Sequence, residues 1–306
     1  MNKKSLILFM FIFTGYGFSI PIQDENDKTG EIISFHFPHD VNRIFATPTA
    51  DVLKSLDLNI ILGGAFGFEE SSAFLGNVAL GLGGIADIEV NTGSLLGALA
   101  NVNQNIPTIT LKGKIYKGTG NYPAIAIGLR SSNDWDRTKI YESGIRASEP
   151  ELYNEGLRNV DYEARITTAF IAFSKNANEN LSLHVGGGIS DLRYRNIRLG
   201  WSPPYEYFSK DVINKKQLGY VFGGFIYTIN ERTQLMFEAQ TMPYFSVNTK
   251  NKTIVPKQRG LMVAGIRSAV SKVLLFDTGI RYQSNYKGIA DTQIRLSLSF
   301  FISLPS

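Results

Sequence analysis

The chain contains no cysteine, so neither a disulfide framework nor a lipid-modified N-terminal cysteine is open to it. Charge is sparse. Asp, Glu, Lys and Arg make up 19% of residues, below the ~25% usual for soluble domains. The formal net charge of +4 is too small for a nucleic-acid footprint. Long hydrophobic runs are missing as well. The apolar stretch Leu6–Phe13, broken by Thr14 and Gly15, falls well short of the ~20 residues of a spanning helix. A mean hydropathy near zero excludes a polytopic helical membrane protein. It does not exclude a barrel, in which half of each strand is polar.

What is present at the N-terminus reads as an address. Lys3 and Lys4 precede the apolar stretch, and Gly17-Phe18-Ser19 offers small residues at a cleavage site. Residues 1–19 are therefore expected to be a secretory signal, with a mature chain starting near Ile20. Residues 20–56 form a separate segment, polar at first, then carrying Ile32, Ile33, Phe35 and Phe37, and punctuated by Pro38 and Pro48. It is long enough to enter a barrel lumen or to pair at the periplasmic rim. His36, His39 and Asp40 lie within it. Their spacing straddles a proline and lacks a fourth ligand, so no metal site is expected.

From residue 57 to 304 the pattern is alternation. The C-terminal stretch sets Ile294, Leu296, Leu298, Phe300 and Ile302 against Arg295, Ser297, Ser299, Phe301 and Ser303. Period-two patterning puts one apolar and one polar face on a strand. Similar runs recur around Leu58–Phe68, Val78–Leu82, Ile88–Val90, Ile109–Ile115, Ile125–Leu129, Tyr162–Phe170, Leu181–Ile189, Leu218–Thr228, Leu235–Ala239, Gly260–Ser268 and Leu274–Tyr282. Short connections such as Gly83-Gly84, Asn230–Arg232 and Val270–Lys272 alternate with the longer Ser131–Val160, Asn196–Lys216 and Val247–Gln258. Strand parity has no reason to sort loop length in a soluble sandwich, whereas outer-membrane barrels have short inner turns and long outer loops. The chain is thus expected to be all-β, a single antiparallel transmembrane barrel of about 12 strands (range about 10–14) with both termini periplasmic. Aromatics fall at the expected rims, with Phe66, Phe68, Tyr162, Tyr244 and Phe245 outside and Tyr116, Tyr122, Phe173 and Phe300 inside.

The signal, the alternation, the loop asymmetry and the amphipathic C-terminal strand resemble bacterial outer-membrane β-barrel proteins. The resemblance is one of architecture and covers most of the chain. It implies an outer-membrane location, lipid around the wall, and barrel-assembly machinery as a partner in biogenesis. Such barrels often end on an aromatic residue, whereas here Phe300 and Phe301 are followed by Ile302-Ser303-Leu304-Pro305-Ser306.

Charges facing lipid at mid-membrane would cost about 2–4 kcal/mol each for Lys or Arg, so they should face the lumen. Lys112, Lys114, Arg130, Glu163, Arg165, Glu238, Asp277, Arg281 and Arg295 are the lumen candidates. Arg281 and Arg295 are expected to pair with Asp277 or Glu238. Ser182 and His184 share a strand face, but no orienting acid is evident, so an enzyme is not expected. The glycine runs Gly81-Leu82-Gly83-Gly84 and Gly186-Gly187-Gly188 lack the Lys-Ser/Thr of a phosphate loop and read as strand kinks that relieve barrel curvature or admit a neighbouring side chain. Ser94–Ala100 could be a short lumenal helix or an apolar outer loop. Trp135, Tyr141, Trp201, Tyr205 and Tyr207 in the two longest loops are candidate ligand or protein contacts. No cofactor and no nucleic acid is implied. Two functions remain: a small-solute channel or transport protein with a narrow or partly plugged lumen, or a non-conducting barrel that docks envelope proteins. An outer-membrane lipid hydrolase is a distant third.

Overall fold

The computed structural model describes residues 42–67, 72–91, 108–119, 121–132, 136–140, 145, 150–202, 207–210, 213–248, 251, 253–284 and 292–304. The stretch expected to be a signal, His36, His39, Asp40 and Ser94–Ala100 lie outside them. Twelve antiparallel strands close into a barrel. They are β1 (Asp57–Gly67), β2 (Ser72–Leu82), β3 (Ala86–Asn91), β4 (Thr108–Tyr116), β5 (Ala124–Ser132), β7 (Leu157–Asn176), β8 (Leu181–Trp201), β10 (Asn214–Asn230), β11 (Thr233–Asn248), β12 (Thr253–Ala269), β13 (Leu274–Gln283) and β14 (Gln293–Ser303). Two short strands, β6 (Asp136–Ile140) and β9 (Tyr207–Lys210), lie beside β7 and β8. A short helix, α1 (Pro150–Asn154), precedes β7. β1 pairs with β14 from Asp57↔Ser303 to Gly67↔Gln293, which leaves no free edge at the first and last strands.

The wall is inside out relative to a soluble fold. Leu111, Ile115, Ile127, Val185, Ile189 and Val221 are all more than half exposed, while Asp87, Lys112, Glu238, Arg267 and Asp277 are each at most 3% exposed. On β14, Leu296, Leu298 and Ile302 face out and Arg295, Ser297 and Ser299 face in. A belt of large apolar side chains around a closed barrel is stable when lipid, not water, surrounds it.

Three expectations are corrected. The alternation Tyr162, Ala164, Phe170 runs inward on β7, so Glu163 and Arg165 point outward, away from the lumen. Tyr162 is accordingly buried inside the wall and does not form part of an outer girdle. The run was misread because the inner surface at this level is itself apolar. The intervals Asn196–Lys216 and Val247–Gln258 are also largely strand. β8 is 21 residues long, and β11 and β12 stay paired up to Asn248↔Thr253. These strands outrun the ~9–11 residues needed to span. Their alternation is interrupted on the way. Asn196 has φ 53°, and beyond it the inward parity moves to Ile197 and Leu199.

Candidate functional site: the occupied lumen

Residues 42–53 lie against the inward face of the barrel, and the exposed Lys54 and Ser55 lead from there to β1. Asn42, Arg43, Ile44, Phe45, Thr47, Thr49, Ala50, Val52 and Leu53 are buried. The chain reverses tightly there: the Ile44 amide donates to the Thr47 carbonyl (3.0 Å), the Thr49 amide donates to the Asn42 carbonyl (3.2 Å), and Arg43 bridges Pro48. Buried backbone groups must find partners, and a hairpin this short satisfies few of its own. The wall supplies the rest. One Glu238 carboxylate oxygen (Oε2) accepts the successive amides of Phe45, Ala46 and Thr47 at 3.0, 2.9 and 2.9 Å, a nest of N–H groups around an anion. Arg267 Nη2 donates to the Ile44 carbonyl at 2.8 Å, and Arg295 Nη2 to the Phe45 carbonyl at 2.9 Å. Lys112 Nζ donates to the carbonyls of Asn42 (3.0 Å), Thr49 (3.3 Å) and Asp51.

Ion pairs and apolar contacts complete the seat. Arg43 pairs with Glu89, which also accepts Asn77 Nδ2 at 2.7 Å. Lys112 is 3.3 Å from Asp87, and Lys114 is 3.1 Å from Asp51. Arg267 holds Asp277 through two bonds, at 2.8 and 2.9 Å. Ile44 and Phe45 pack with Ile226, Met236, Leu261 and Val263. Ala50 packs with Ala124, Ala126, Phe170, Ala172, Tyr220 and Phe222. A Cβ at Gly224 would meet the Phe237 carbonyl at 2.1 Å and Ile44 Cδ1 at 2.7 Å, so glycine there serves both the close approach of β11 and the space of the hairpin. A Cβ at Gly186 would overlap the Phe222 ring at 2.2 Å; this glycine admits a lumenal side chain, one of the roles its run suggests.

Of the nine lumen candidates, seven face inward. Lys112, Glu238 and Arg295 converge on the hairpin, and Lys114 meets its base. Arg130 is half-buried and donates to Thr110 Oγ1 at 3.2 Å. With Arg43, Asp87, Glu89 and Lys112 it borders a residual polar cavity of about 10 Å³, room for a single water. Asp277 is paired by Arg267, not by Arg281 or Arg295, and Arg281 is half-buried on the same inward face. Glu163 and Arg165 are the two that face out. Arg267 was missed although its signal was available, because a charge in the apolar run Gly260–Ser268 has to point inward.

Ser182 and His184 do not form a pair. His184 Nδ1 meets Ser174 Oγ at 2.8 Å, and that oxygen accepts the Ala50 amide at 2.7 Å. Ser182 instead donates to Asn176 at 2.7 Å. His184 thus ties the lumenal segment to the wall through Ser174.

Among the loop aromatics, Trp201 is half-buried and packs on a third apolar cluster. That cluster joins Ile145, Tyr162, Tyr194, Ile197, Leu199 and Ile254 with Tyr153 of α1, over which Arg158 stacks at 4.1 Å. Tyr207 belongs to β9. Trp135, Tyr141 and Tyr205 lie outside the described residues.

Barrel closure, outward apolar face and polar interior define a transmembrane β-barrel with the architecture of bacterial outer-membrane barrels. No protein-family model and no curated protein matches the chain. Solved structures do. The translocator domain of autotransporter NalP from Neisseria meningitidis is similar at TM-score 0.43 and 12% identity, over 81% of this chain and 88% of that one. The Ralstonia pickettii toluene transporter TbuX is similar at TM-score 0.42 and 9% identity, over 83% and 90%. The CymD monoaromatic hydrocarbon channel is similar at TM-score 0.39 and 8% identity, over 83% and 90%. At these values the neighbours say nothing about substrate.

Proposed function

We propose that the protein is an outer-membrane barrel for small-solute passage, and that in this state residues 42–53 act as a plug. The carrying observation is the seat itself. Glu238, Arg267, Arg295 and Lys112 bind main-chain atoms of one hairpin, so the plug is held by groups that would otherwise line an open polar lumen. On release the hairpin's main-chain groups and the charges of the seat would exchange these bonds for bonds to water.

Bilayer recording tests this. The full-length protein should conduct little, and deletion of residues 42–49 should give a folded barrel with steady conductance. A deletion variant that folds and stays silent would favour the docking-barrel reading, in which the lumen never carries solute.

Both ends of the barrel, Asp57 and Ser303, lie at the rim of the short turns. Periplasmic termini would place that rim inside and the extended strands β7, β8, β10, β11 and β12 outside. Single cysteines at Asn154 and Ser209 should then be labelled on intact cells, and those at Asn178 and Glu231 should not. Labelling of the second pair from outside would reverse the orientation.

A further inference from the structure

The register of three neighbouring strands lines up cations on the outer wall. Arg165 of β7 lies directly opposite Arg193 of β8, and Arg193 lies directly opposite Lys215 of β10. All three are exposed, on the face opposite the inward Ala164, Leu192, Tyr194 and Tyr220. Directly opposed residues on one face have Cβ atoms about 4.5–5.5 Å apart, where like charges repel. Compensation is partial. Asp191, one row closer to the apolar belt, accepts Arg193 Nε at 3.0 Å. Glu163, one row further out, is taken by Arg195 at 2.8 Å.

The height of the row matches a headgroup layer. Below the row Thr167, Asp191 and Gln217, the same face becomes apolar, with Ile171, Phe173, Val185, Ile189 and Val221. Lys175 closes that band at the opposite rim. From Lys175 to Arg165 is a rise of about 26 Å for strands at ~3.4 Å per residue tilted ~40°, close to the ~25 Å of an outward apolar band.

We propose that Arg165, Arg193 and Lys215 bind the phosphate of a phosphorylated lipid headgroup in the leaflet at the rim of the extended strands. Two guanidinium forks and an ammonium spaced by the sheet suit a phosphate's three acceptor oxygens. A lipid held there relieves the repulsion that the register builds in. Naming that leaflet as the outer one rests on the outer-membrane reading above; the binding itself does not, and it is independent of conductance.

The test titrates purified full-length protein in detergent with a bisphosphorylated glycolipid, its dephosphorylated form and inorganic phosphate, with binding read by native mass spectrometry. The phosphorylated lipid should bind, and the dephosphorylated form and inorganic phosphate should bind far more weakly. At about fivefold per cation, Arg165→Gln/Arg193→Gln/Lys215→Gln should bind about 100-fold more weakly. Arg165→Lys/Arg193→Lys keeps the charge but loses the two forks, so it should bind several-fold more weakly than the unaltered protein and well above the triple variant, and it carries the test if the triple variant fails to fold. Equal binding of the dephosphorylated lipid, undiminished binding by the triple variant, or loss of binding in the lysine variant on a par with loss of charge would overturn the proposal. Inorganic phosphate competing at matched concentration would reassign the row to a free-anion site and overturn the lipid assignment.

Discussion

Glu238→Ala should unseat the plug and turn a nearly silent barrel into a conducting one. One Glu238 oxygen holds the amides of Phe45, Ala46 and Thr47, and the residue is fully buried. Removing it orphans three N–H groups and withdraws negative charge from beside Arg267 and Arg295. Removing one partner of a buried charged cluster costs about 3–5 kcal/mol. Where the hairpin can leave for water, that cost appears as plug release rather than barrel unfolding. An equilibrium shifted by that much changes the undocked fraction by roughly two to three and a half orders of magnitude, at ~1.4 kcal/mol per tenfold. Bilayer conductance should rise accordingly, and amides 44–50 should lose hydrogen-exchange protection while β11 keeps its own. Glu238→Gln keeps a neutral acceptor, and charge-assisted bonds are about twice as strong as neutral ones, so it should fall between. A silent Glu238→Ala variant with protected hairpin amides would show that the seat does not hold the plug.

The seat was half legible in the sequence. Lys112, Glu238 and Arg295 could be assigned inward because lipid forbids the alternative, and that argument needs no knowledge of neighbours. Their common purpose could not be read, because they bind main-chain atoms of a segment between 61 and 250 residues away in the chain. Backbone carbonyls and amides leave no residue pattern. The inner and outer faces were reversed on β7 for a related reason. Periodicity reports which residues share a face, not what that face meets. On β4 and β14 charges settle the question, but on β7 the inward run Tyr162, Ala164, Phe170 is as apolar as a lipid face, and Glu163 and Arg165 lie above the belt where charge is tolerated. Loop lengths failed at β8 and at β11–β12, where parity changes within long strands imitate strand ends. Strand number survived these errors because it depends on counting runs and turns.

Arg267→Ala should be the most destabilising single change in the wall. Arg267 and Asp277 face each other across β12 and β13, are 3% and 4% exposed as side chains, and share two short bonds. Deleting the guanidinium leaves a carboxylate buried without its cation, at a cost of about 3–5 kcal/mol. For a barrel of this size that corresponds to a fall on the order of 10 °C in the unfolding temperature, measurable as loss of heat resistance in detergent. Arg281→Ala leaves both Asp277 oxygens engaged by Arg267 and strands no charge at that position, so adding Asp277→Ala should recover heat resistance in the Arg267→Ala background and not in the Arg281→Ala background. Arg267 also donates to the Ile44 carbonyl, which couples stability to plugging, and a double variant separates the two. Arg267→Ala/Asp277→Ala removes the stranded charge, so most of the thermal loss should be recovered. The Ile44 carbonyl still lacks its donor, so the hairpin should open more often than in the unaltered protein. A heat-resistant double variant with raised conductance is the expected result. Full heat resistance with unchanged conductance would confine Arg267 to the wall and leave Glu238, Arg295 and Lys112 as the groups that hold the plug.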